Sequence, residues 1–178
     1  MKASICKLVA ILLVVTAFAV AVAFAASDAC AQQKAAKRSN PLIGTWTLVS
    51  LKNEQDGKIT EPLGPNPKGL LIFDRSGRYA FLMFVPDLPK FASNSRVKGT
   101  PEENKAVVVG SLAHFGKYSV NEKEGTFSLY PEASTFPNWV GIEQKRSFSI
   151  SKDEFKMTNP SPSRARGGVN TLILKRAK

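Results

Sequence analysis

From Gly44 to Arg176 apolar residues come in short runs separated by turn residues every 8–12 positions or so, the spacing of a β-barrel or sandwich. Side chains alternate along a strand, so Thr45–Leu51 sets Trp46, Leu48 and Ser50 against Thr45, Thr47, Val49 and Leu51. Gly69–Phe73 and Tyr79–Val85 flank Asp74-Arg75-Ser76-Gly77 and form a hairpin. Asp56-Gly57 marks a further turn. Strands follow at 114–120, 126–130, 142–150, 154–158 and 171–176, which makes eight. Connections this short pair neighbouring strands antiparallel, and about eight strands suffice to close a tube around one small ligand. Closure also removes exposed edges.

One segment breaks the pattern. Pro86–Gly99 is a long loop, and Thr100-Pro101-Glu102-Glu103 then opens a helix. Thr100 can cap it, Pro101 stands where a missing N–H costs nothing, and Glu103 completes a capping box. Val107, Val108, Val109 and Gly110 are poor helix formers, so the helix is short and is expected over a barrel mouth. Both faces of the strand after the hairpin are apolar: Tyr79, Phe81 and Met83 on one side, Ala80, Leu82 and Phe84 on the other. One face is core; the other meets the helix or a partner. The expected fold class is all-β, an eight-stranded antiparallel barrel with one short helix.

The N-terminus follows another logic. Lys2 and Lys7 precede a run from Leu8 to Ala26 with no charge, and Ala23-Phe24-Ala25 and Ala29-Cys30-Ala31 are small-residue exits. That combination predicts a signal peptide over residues 1–31 and an exported protein, periplasmic or secreted. The run is also near the length of a membrane span, so an uncleaved anchor is the alternative. Residues 32–40 (QQKAAKRSN) read as a flexible linker and 41–178 as the barrel domain. Cleavage after Ala31 removes both cysteines, Cys6 and Cys30, which leaves no disulfide or thiol chemistry. It also changes the net charge only from +11 to +10. The cations are scattered, in clusters such as Lys34-Lys37-Arg38, Arg164-Arg166 and Lys175-Arg176-Lys178, without a nucleic-acid motif. They suit solvated surface and a weak association with an anionic envelope.

Gly44-Thr45-Trp46 resembles the Gly-x-Trp that opens the first strand of lipocalins. The runs GTWTLVS, PLGPNPKGLLIFDRSG, PDLPKFAS, GTPEE, FGKYSV and FPNWVGIEQKRSF resemble the bacterial and fungal lipocalin-like domain family. The resemblance spans Pro41 to about Pro160. It implies a calycin-type barrel in which Trp46 plugs the closed end and Arg176, or Lys175, packs across its ring. It implies no general activity. Two positions depart from many relatives: Leu88 stands where they carry a basic residue, and Leu129-Tyr130 where they place a His.

Candidate chemistry centres on the strand 142–150. Glu143, Lys145, Ser147 and Ser149 form a wholly polar face, so Ile142, Gln144, Arg146, Phe148 and Ile150 look inward. A buried arginine needs partners. Arg146 either forks onto a ligand carboxylate or enolate, or pairs with Glu132 near the mouth. Trp139 offers a flat wall and an N–H donor at a pocket rim. His114 looks inward beside Tyr118. One His without mature Cys excludes a zinc site of ordinary composition, so no metal is expected. There is no Gly-x-Ser-x-Gly elbow and no phosphate-cradling motif, so no cofactor is expected either. Three readings follow: a carrier of a small hydrophobic molecule, with or without an acidic end; an isomerase or cyclase working in the same cavity through Arg146 and His114; or a filled structural barrel of the envelope. The oligomeric state is not readable.

Overall fold

The computed structural model describes residues 40–160 and 168–178. The expected leader at 1–31, all of the linker but Asn40, and Arg164 and Arg166 lie outside the described residues. The barrel unit begins at Pro41.

The elements are β1 (Gly44–Gln55), β2 (Lys58–Thr60), β3 (Lys68–Phe73), β4 (Arg78–Phe84), α1 (Pro101–Gly110), β5 (Ser111–Asn121), β6 (Thr126–Ser134), β7 (Gln144–Ser151), β8 (Glu154–Asn159) and β9 (Val169–Arg176), with a 3₁₀ turn at Pro137–Trp139 between β6 and β7. Each strand from β3 to β9 pairs antiparallel with the next, β1 pairs with β3, and β1 closes the sheet against β9 from Trp46↔Arg176 to Glu54↔Val169. All strands but β2 form the closed eight-stranded barrel. The expected fold class is therefore the observed one. β2 is an addition: Asp56 (φ 52°) and Gly57 (φ 74°) turn the end of β1 back on itself in a hairpin.

Two irregularities change which side chains face the lumen. A bulge in β1 between Leu48 and Ser50 reverses the alternation, so Leu51 joins Trp46 and Leu48 inside instead of opposing them. A second bulge, between Phe115 and Gly116, brings β5 hard against β6. There Gly116 lies so close to the Tyr130 carbonyl and the Glu132 amide that a Cβ has no room.

The lower half of the barrel is solid. Trp46, Phe73, Phe127 and Phe155 are fully buried, with ring centroids 5.1–6.4 Å apart. Arg176 lies 4.1 Å over the Trp46 ring and donates to the Ile43 and Pro41 carbonyls, while Trp46 Nε1 donates to Leu42 O. α1 starts with the predicted capping box, Thr100 and Glu103 exchanging hydrogen bonds. It runs straight into β5, and Gly110 is packed beneath Leu88.

Candidate functional site

The upper half is open. A cavity of about 310 Å³ lies between the barrel wall, α1, the Pro62–Leu63 loop and the 3₁₀ turn. Its apolar side is built by Phe81, Met83, Leu112, Val108, Phe136 and Trp139. Its polar groups are Ser111, His114, Thr135, Arg146, Asn159 and Asn170, with no carboxylate among the described lining residues.

β7 delivers Arg146 as alternation demands: Gln144 and Arg146 are buried, Lys145 and Ser147 exposed. Ile142 precedes the strand and is exposed. The Arg146 guanidinium donates to Lys145 O at 3.3 Å and to Gln144 Oε1 at 3.4 Å, and lies 5.8 Å from the Trp139 ring centroid. These partners are neutral and the hydrogen bonds long. Among the described residues no carboxylate comes within 4 Å of it; the two ion pairs found are Arg78–Glu132 and Lys145–Glu124. Burial pushes the Arg146 pKa down to about 10, which still leaves it charged at neutral pH. The cavity thus contains a desolvated cation with no anion beside it among the described residues.

His114 on β5 is the second buried polar group. Its Nδ1 lies 2.8 Å from the Tyr79 hydroxyl on β4, and the rings of Tyr79, Phe81 and Trp139 surround it edge-on at 5.4–5.5 Å. Burial, with Arg146 as a secondary cause, pushes its pKa down to about 3, so it is neutral at physiological pH. Burial also raises the Tyr79 pKa, so the phenol stays protonated.

The residues singled out from the sequence separate into groups. Arg146, His114 and Trp139 meet at the cavity. Gln144 is buried behind Arg146 and holds its guanidinium rather than lining the space. Tyr118 does share the inward face with His114, but four residues along a strand is roughly 13 Å. It sits in the solid half, its ring 4.7 Å from Phe73 and its hydroxyl donating to Asp74 O. The expected Arg146–Glu132 pair does not form. Period two along β6 turns Glu132 outward, where it takes a forked bond from Arg78 (2.6 and 3.2 Å). Sequence reasoning passed over Tyr79, read as core, and Asn159 and Asn170, which stand at strand ends and look like turn residues.

A closed antiparallel barrel, solid at one end and hollow at the other, is the calycin-type architecture. Residues 43–177 match the family described as lipocalin-like domain, and the chain belongs to that family. Barrels of this family hold small hydrophobic ligands in general. No curated protein is similar enough to the chain to be matched with it.

Proposed function

We propose that this is an exported carrier that takes a small, mostly apolar acid into the open half of the barrel, with Arg146 as the counter-charge. The observation that carries this reading is the buried guanidinium facing the cavity with only neutral partners among the described residues. Isolated buried charge is costly, and an incoming carboxylate relieves that cost through charge-assisted bonds. The volume is at the lower limit of small-molecule sites, room for about ten water-sized groups. Export rests on the leader-like residues 1–31.

The isomerase reading is weaker for a chemical reason. Proton abstraction needs a base whose pKa lies near the working pH. A neutral His114 can still polarise a carbonyl beside Arg146, but as a base it is far below that value, and the described lining residues include no carboxylate. The filled-barrel reading conflicts with the cavity itself, because Phe127 and Phe148 pack in the closed half while Phe81 only forms a wall.

The test is calorimetric titration of the purified protein with octanoate and octan-1-ol, in wild type and Arg146→Gln. Octanoate should lose roughly 10- to 100-fold in affinity in the variant, the worth of a hydrogen-bonded charge. The alcohol should change less than threefold. Equal octanoate binding by both proteins would refute the role of Arg146.

A further inference from the structure

The polar side of the cavity is not a single group but a row across three strands. In register, Asn170 on β9 faces Asn159 on β8 on one side and Asn53 on β1 on the other. Ser147 faces Thr158, so the same ladder continued by one residue brings Arg146 opposite Asn159. Arg146, Asn159 and Asn170 all line the cavity.

The orientation of Asn170 follows from its neighbour. Its Oδ1 accepts a hydrogen bond from Asn53 Nδ2 at 2.9 Å, which directs the other half of the amide, the two N–H donors, away from β1. No other hydrogen bond to the Asn170 side chain occurs among the described residues. This side therefore offers donors at two separate places, the guanidinium on β7 and the amide on β9, whose backbones are two strand spacings, about 10 Å, apart. The facing wall of Phe81, Met83 and Leu112 offers no hydrogen-bonding side chain.

We infer that the ligand is an acid with a second oxygen acceptor partway along its apolar body, the carboxylate received by Arg146 and the second oxygen by the Asn170 amide. This rests on the acid-carrier reading and narrows it to keto or hydroxy acids. An unsubstituted acid leaves the Asn170 donors facing hydrocarbon, and stranded donors in a dry cavity cost affinity. The guanidinium supplies the larger, charge-assisted part of the grip, the amide the discrimination between acids of equal length.

The experiment compares octanoate with 5-oxooctanoate, equal in charge and chain length, by calorimetric titration of wild type, Asn170→Val, Asn170→Ala and Arg146→Gln. Val is a good strand former of similar size, Ala an independent second removal of the donor, and thermal unfolding checks that each is folded. Wild type should bind the keto acid about three- to tenfold more tightly, the worth of one neutral hydrogen bond. Both Asn170 variants should lose that preference, octanoate binding more tightly once no donor is stranded against it, whereas Arg146→Gln should weaken both acids together. Equal affinities in wild type, or a preference that survives both Asn170 variants, would overturn the inference and leave the carrier reading standing. Binding of neither acid would overturn both.

Discussion

If Arg146 is a binding group and not a structural keystone, the empty barrel should be more stable without it. The perturbation is Arg146→Met combined with Gln144→Leu, so that no amide is left stranded when the guanidinium goes. Burial lowers the Arg146 pKa well below the ordinary guanidinium range, to about 10. At 1.36 kcal/mol per unit, that is about 3 kcal/mol of penalty on the charged form. Opposing it are the Trp139 contact at 5.8 Å and two hydrogen bonds of 3.3 and 3.4 Å, together worth about 2 kcal/mol. Met has a long flexible stem that fills the same volume. The balance is a gain of about 1 kcal/mol, or a rise in melting temperature of roughly 2–4 °C for a domain of this size. Urea unfolding at neutral pH measures the free energy, and an unchanged m-value shows that the unfolding reaction is the same. The same variant should no longer be stabilised by added octanoate, since a ligand shifts stability only through its affinity for the folded form. A loss of 2 kcal/mol or more would refute the reasoning and make Arg146 part of the scaffold.

Acid should weaken the fold through His114. The unfolded chain takes up that proton near pH 6.5 and the folded one only near 3, so stability is full above pH 6.5. It falls by up to about 1.4 kcal/mol per unit below that, tending to about 5 kcal/mol by pH 3. Urea unfolding at pH 7, 6 and 5 should show this slope in wild type and a much flatter one in His114→Gln; equal slopes would count against a neutral buried imidazole. At the closed end, Arg176→Ala should cost about 1–2 kcal/mol through lost cover of the Trp46 ring and open Trp46 to water. In a Trp139→Phe background, where Trp46 is the remaining tryptophan, a red-shifted emission reports it.

Much of the architecture is legible because burial on one side imposes period two. The polar series Glu143, Lys145, Ser147, Ser149 is enough to send Arg146 inward, and Thr100-Pro101-Glu102-Glu103 is enough to start α1. What alternation cannot foresee is its own interruption. Leu51 sits on the opposite face from its place in the pattern because one bulged residue in β1 resets the count, and nothing in Leu48-Val49-Ser50 announces a bulge. The site is harder still, because its groups come from strands far apart in sequence. Arg146 and Glu132 are near neighbours along the chain, yet alternation puts them on opposite sides of the wall, while Tyr79 meets His114 from 35 residues away. Tyr118 has the right orientation and the wrong height, and height is set by the stagger of the ladders, which residue types do not encode.

α1 is fastened at both ends. At its start Glu103 accepts from Ala92 N as well as Thr100 N. At its finish Gly110 O accepts from Val85 N, and the chain enters β5 without a linker. A rim so secured behaves as a fixed doorway rather than a hinged shutter. On the carrier reading, traffic should then be sorted by girth, with slender molecules short enough for the cavity admitted and bulky ones turned away before their chemistry is ever sampled.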